Sequence, residues 1–231
     1  MPTFEENTFV LEQFYDIITP NKVEMFDRIA SERTRYLTLA LEDVFQEHNA
    51  SAVIRTCDCF GIQDLHAIEK KHKYVLQRKI ALGAGRWIDL FRYLDRGEST
   101  QDCIDSLKSK GYALVATSPH LDAYTHHNLP LDKPVALFFG TEHHGLSETV
   151  MENADYHMKI PMYGFTESFN LSVSVALVVQ TLRQRLTLSD IQWKLSEAEQ
   201  VQLKIDWCAE ILNGGKSLEN SYRKAFLEKE F

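Results

Sequence analysis

Short apolar runs alternate with amphipathic stretches through the middle of the chain. "YLTLALEDV" from Tyr36, "DLHAIE" from Asp64, the region of "RWIDLFRYL", "YALVATS" from Tyr112, "VALFFG" from Val135 and "YHMKI" from Tyr156 are apolar and short enough to be strands. Between and after them the pattern predicts helices over about 49–60 and 100–109, a short one after Leu146, and a long one over 168–187. Strands separated by helices point to parallel βαβ units, hence an α/β domain with a parallel sheet flanked by helices. Before this region, Phe9, Leu11, Phe14, Tyr15 and Ile18 recur at helical spacing, and Pro20 divides that stretch from a second short helix. Beyond Ser189 the chain turns amphipathic and charged. Ser196 is placed as an N-cap with Glu199 completing a capping box, and "LNGGKS" separates that helix from a last one. The expected organisation is a helical extension over 1–35, an α/β domain over 36–187 and a second helical extension over 188–231.

Composition narrows the function classes. The chain has 231 residues, 44% of them hydrophobic, enough to bury a core, yet no run is long enough and apolar enough to span a membrane. The first residues lack a basic segment followed by an apolar one, so a cytoplasmic location without a membrane partner is expected. Cys57, Cys59, Cys103 and Cys208 are too few and too scattered for a disulfide framework and read as reduced thiols. The net charge of −8 argues against indiscriminate adhesion to polyanions, so any nucleic-acid binding must rest on local basic patches.

In an open parallel sheet, ligands bind outside the carboxyl ends of the strands. Three predicted strand ends carry unusual loops: "ALVATSPHLDA" leaves its strand at Thr117, "VALFFGTEHHGLS" at Gly140, and "YHMKIPMYGFTESFN" at Ile160. A fourth segment, "EHNASAVIRTCDCFG", puts Asn49, Val53 and Cys57 on one helical face, and helix period alone does not bring Asn49 and Arg55 to one point. Gly140 and Gly145 bracket Glu142 and permit tight turns against a ligand. Several familiar chemistries are not supported. Gly83 and Gly85 lack the rest of a dinucleotide fingerprint, and Ser168 has no nucleophile elbow around it. Glu142, His143 and His144 have no second ligand cluster at recognisable spacing, so no metal is expected.

"NASAVIRTCDCFG", "LFFGTEHHGLS" and "IPMYGFTESFNLSVSVAL" resemble, in order, the three motifs of the SpoU-type RNA 2'-O-ribose methyltransferases of the SPOUT superfamily. Within it, "ITPNKVEMFDRIASERTRYLTLALEDV", "GAGRWIDLFRY" and "LSEAEQVQLKIDWCAEIL" look like the TrmH branch, which methylates guanosine 18 in the D-loop of transfer RNA. The resemblance implies a deep trefoil knot in the C-terminal part of the domain, S-adenosylmethionine as cofactor, tRNA as partner and a homodimer joined near the knot. An enzyme of the same fold acting on ribosomal RNA or another tRNA position is the alternative. A noncatalytic RNA-binding protein is the alternative of another class.

The resemblance also assigns residues. Arg55 falls on the arginine that acts at the ribose 2'-hydroxyl, with Asn49, Glu142, Ser168 and Asn170 as the other catalytic positions. Thr117, Gly140, Ile160, Met162, Ser168, Phe169 and Leu171 fall on the cofactor pocket, where Phe169 and Leu171 replace the usual leucine and valine while keeping it apolar. A guanidinium is a poor base because its pKa lies above about 12. Arg55 is therefore expected to bind phosphate or stabilise alkoxide charge, with phosphate or water taking the proton. Candidate RNA contacts are Arg33, Arg35, Arg55 and Arg86, and further basic residues stand at Lys70 to Lys73, Arg183 and Arg185.

Overall fold

The computed structural model describes residues 2–44, 46–94, 97–119, 124–141 and 144–229, without the side chains of Arg78, Lys79 and Lys229. The chain divides into two compact units, one of residues 34–193 and one joining residues 1–33 to 194–231.

The larger unit is a sheet of seven strands flanked by helices. In chain order its elements are β1 (Leu37–Glu42), α3 (Glu47–Cys59), β2 (Asp64–Glu69), α4 (Arg78–Ala81), a 3-10 turn (Ala84–Arg86), β3 (Asp89–Leu94) and α5 (Ser99–Ser109). There follow β4 (Ala113–Thr117), β5 (Tyr124–Thr125), β6 (Val135–Phe139), α6 (Glu148–Asn153), β7 (Tyr156–Lys159) and α7 (Leu171–Thr187). The strands lie in the order β3-β2-β1-β6-β4-β7-β5. Each described pairing is parallel, with Leu39 opposite Leu65 and Leu137 on the two sides of β1, and Thr117 opposite Met158. A parallel sheet must be covered on both faces, and two apolar layers do this. Leu39, Leu41, Val115 and Leu137 pack on one face with Val53 of α3 and Val175, Val179 and Leu182 of α7. Ala40, Leu114, Ala116 and Phe138 pack on the other with Ile104 and Leu107 of α5 and Val150 of α6.

The smaller unit holds α1 (Phe4–Tyr15), α2 (Pro20–Ala30), α8 (Glu197–Ile211) and α9 (Gly215–Lys229). Pro20 opens α2 at a position where its missing N–H has no intrahelical partner to lose. Ser196 and Glu199 form the expected reciprocal capping box on α8. Phe14 meets Tyr222 and Phe26 meets Trp207 edge-on, at centroid separations of 5.3 and 5.4 Å. Arg223 of α9 ties back to α1 through Glu6 at 3.0 Å and Asn7 at 2.9 Å.

Two sequence expectations are corrected here. The long helix begins at Leu171 rather than at 168, because Asn170 is extended and caps it. Arg33, expected at an RNA surface, is 2% exposed with its guanidinium over the Trp207 ring at 5.4 Å. A cation stacked in an aromatic interior is not available to phosphate, so its place is in the packing of the helical unit.

Candidate active site

Thr117, Gly140 and Ile160 each stand at or just past the end of β4, β6 or β7, three neighbouring strands. A cavity of about 550 Å³ opens at these ends. Thr117, Gly140, Ile160, Met162, Ser168, Phe169 and Leu171 all line it, together with Ser118, Met158, Ser174 and Val178. The Thr117 hydroxyl donates to the Phe138 carbonyl at 2.7 Å, and Ser118 N–H to the Met158 carbonyl at 3.0 Å, so the floor is fixed by neighbouring strands.

The loop after β6 is drawn tight. Thr141 N–H donates to the Gly145 carbonyl at 3.1 Å and Gly145 N–H to the Thr141 carbonyl at 3.0 Å, closing a small ring of backbone. A Cβ on Gly140 would stand 2.1 Å from the Gly145 oxygen, while Gly145 itself has a φ of +66°. One glycine is required by contact and the other by conformation. Glu142, expected to be catalytic, and His143 lie outside the described residues.

Past β7, residues 160–170 run without helix or strand and form the opposite wall. The polar start of α7 has two tasks. Asn170 accepts from Ser172 N–H at 2.9 Å through Oδ1, satisfying one of the free amides of the first turn. Its Nδ2 donates to Asn49 Oδ1 at 3.0 Å, and Asn49 Nδ2 donates in turn to Gln46 Oε1 at 2.8 Å. Asn49 is 2% exposed and Asn170 exposed, so this amide relay is a partly buried link between the first and third of the sequence segments singled out above. Sequence reasoning did not single out Gln46.

Arg55 lies on α3 with its side chain exposed, and no described residue holds its guanidinium. It does not line the cavity. Arg86 is exposed in the 3-10 turn. Arg35 differs from the expectation: its guanidinium donates to Asp64 at 2.9 Å and Asp89 at 2.8 Å, and those partners outweigh burial to raise its pKa. The fork expected to meet RNA is engaged, half-buried, by the carboxylates that open β2 and β3. Arg185 likewise donates to the His126 and Leu129 carbonyls, and Arg183 lies 3.6 Å over the Trp193 ring.

A buried carboxylate adjoins the glycine loop and was not marked by the sequence. Glu42, 3% exposed at the end of β1, accepts hydrogen bonds from Lys70, Thr100 and Ser147. Burial pushes its pKa up, but those bonds together outweigh burial and hold it below the ordinary carboxylate value.

Among the described residues no cluster of His, Cys, Asp and Glu could hold a metal ion, and no helix is long and apolar enough to cross a membrane.

Comparison with known proteins adds to this geometry. Residues 36–180 match the profile of the SpoU rRNA Methylase family. The chain is 43% identical over 211 residues to the tRNA (guanosine(18)-2'-O)-methyltransferase of Borreliella burgdorferi, covering 91% of this chain and 94% of that protein. It is 33% identical over 161 residues to the enzyme of the same name from Thermus thermophilus, covering 69% and 81%. Among solved structures it is similar to the TrmH/SpoU tRNA modifying enzyme of A. aeolicus, with 27% identity, a TM-score of 0.72 and coverage of 84% and 98%.

Proposed function

The chain belongs to the SpoU rRNA Methylase family, and from that premise we propose that it is an S-adenosylmethionine-dependent tRNA (guanosine(18)-2'-O)-methyltransferase. Residues 34–193 form the methyltransferase domain and the terminal helices its extensions. The observation that carries this reading is the cavity at the ends of β4, β6 and β7, with the Asn49–Asn170 hydrogen bond joining two distant segments beside it.

The residues present fit the cofactor. Ile160, Met162, Phe169 and Leu171 offer apolar surface for the faces of an adenine, and the main chain of the strand ends offers donors and acceptors for its edge. When bound, S-adenosylmethionine supplies an electrophilic methyl group on sulfur. Held by the strand-end main chain and by Ile160, Met162, Phe169 and Leu171, it would supply that methyl group to a ribose 2'-oxygen, whose proton would be left to RNA phosphate or water. In-line alignment makes positioning a large part of such catalysis. Asn49 and Asn170 hold the walls in register, Ser168 faces donor and ribose, Glu142 keeps the catalytic role that the family resemblance gives it, and Arg55 and Arg86 meet the RNA backbone. Arg55 stabilises the charge that develops as the proton leaves. The chain between β7 and α7 is threaded as a deep trefoil knot, which makes the main chain around 160–170 a rigid cofactor wall.

Labelled methyl groups are expected to enter unmodified tRNA at the 2'-oxygen of guanosine 18. Incorporation at another nucleotide, or into ribosomal RNA instead, moves the substrate assignment; incorporation into neither, in protein that still binds tRNA, leaves the noncatalytic reading.

A second copy of the chain completes the assembly. Tyr163 and Phe165 are fully exposed beside the cavity wall, and Phe169, Val173 and Leu177 continue an apolar strip onto α7. Large aromatic groups held in water at a strip of this kind mark an interface, and a two-fold contact buries the same strip from both copies. Light scattering at micromolar concentration should return twice the chain mass; a monodisperse monomer sinks the dimer.

A further inference from the structure

We propose that Glu42 is a positioning residue of the methyl-donor pocket, acting through Ser147 to hold the exit of the glycine loop. The inference rests on the function proposed above and adds a residue that does not line the cavity.

Glu42 ends β1 on the sheet face that carries Ala40, toward α5 and α6. Its Oε1 accepts from Lys70 Nζ at 2.8 Å, Thr100 Oγ1 at 2.8 Å and Ser147 Oγ at 2.7 Å, and its Oε2 accepts from Ser147 N–H at 2.8 Å. A buried charge is tolerated only when paired and bonded, and four donors meet the acceptor capacity of a carboxylate. The donors come from three separate parts of the chain, 28, 58 and 105 residues away.

Ser147 shows where the constraint is directed. It is the N-cap of α6, a position where a serine hydroxyl ordinarily accepts from the first turn, yet here it makes no capping bond and donates to Glu42 instead. Both its N–H and its hydroxyl are held by the one carboxylate. Ser147 directly follows Gly145 and Leu146, which line the cavity. The entrance of this loop is fixed by β6 and its waist by the paired Thr141 and Gly145 amides. Glu42 fixes the exit. A carboxylate is required, since an amide would turn an N–H toward at least one of these donors.

The test is calorimetric binding of S-adenosylmethionine to the full-length protein, well below its unfolding temperature. Glu42→Gln should weaken binding by about tenfold or more, the equivalent of one lost hydrogen bond to a charged group. Ser147→Ala, which keeps the backbone donor, should act in the same direction but less. In the double variant the loss should be smaller than the product of the two single losses, because both act through one contact. The effect should enter the donor KM before kcat. Folded Glu42→Gln protein with wild-type affinity overturns the proposal. If that variant does not fold, an unchanged affinity in Ser147→Ala overturns it. A wild-type protein that binds no S-adenosylmethionine sinks the proposed function itself, which separates the two failures.

Discussion

Replacing Arg55 with alanine is expected to lower methyl transfer into unmodified tRNA by about a hundredfold to a thousandfold while leaving S-adenosylmethionine affinity where it was. The first half follows from the role proposed for the guanidinium. A preorganised positive donor aimed at developing oxyanion charge is worth about 10²–10³ in rate when removed. The second half follows from geometry: Arg55 is exposed on α3 and absent from the cavity lining, so the donor pocket loses no contact with it. Arg55→Lys should fall between, because an ammonium keeps the charge but loses the planar fork that grips phosphate. Single-turnover incorporation of labelled methyl, with donor binding measured in parallel, separates these terms. Undiminished incorporation by Arg55→Ala refutes the role; a parallel collapse of donor binding shows instead that α3 was disturbed.

The contrast between Arg55 and the other arginines shows what a sequence can reveal. Strands were legible because a doubly covered parallel sheet leaves short, nearly continuous apolar runs: each residue of β1 and β2 is buried, including Thr38, Asp64 and His66. The strand ends were legible for the same reason, and with them Thr117, Gly140 and Ile160 of the cavity lining, while Met162, Ser168, Phe169 and Leu171 came from the family resemblance. Elements too short to show a period were missed, such as β5 with two residues and α4 with four. The fate of a long charged side chain was not legible at all. Arg33 and Arg35 read as a basic patch, yet one stacks on Trp207, far along the chain, and the other pairs with Asp64 and Asp89. Their partners depend on which strands and helices become neighbours.

Glu42 was hidden by the same cause. In "LALEDV" a glutamate at a strand end looks like the return to solvent, and nothing local announces Lys70, Thr100 or Ser147 around it. The Asn49–Asn170 bond spans 121 residues, and helix period could place Asn49 on a face but not say what met it. The family resemblance supplied that juxtaposition, and the amide relay gives its physical form.

Gly140→Ala should abolish measurable S-adenosylmethionine binding, and Gly145→Ala should only weaken it, although both glycines bound the same loop. At Gly140 the new Cβ would lie 2.1 Å from the Gly145 oxygen and 2.4 Å from the Leu146 nitrogen, both backbone atoms that no rotamer change can move. The loop must open, which breaks the two Thr141–Gly145 hydrogen bonds and displaces Leu146 from the cavity wall. Overpacking of this kind costs about 1–3 kcal/mol, and two lost backbone bonds add about 1 kcal/mol each. Together these exceed a hundredfold in affinity if the loop recovers its shape only when the donor binds. At Gly145 nothing lies within 4 Å of the added carbon, so the cost is conformational: about 1–2 kcal/mol for holding an L-residue at a φ of +66°. The ratio between the two variants is therefore the informative quantity. Calorimetry showing Gly140→Ala with the wild-type dissociation constant places the donor away from this loop and removes the cavity from the proposed mechanism, whereas two equally impaired variants refute the steric distinction between the glycines.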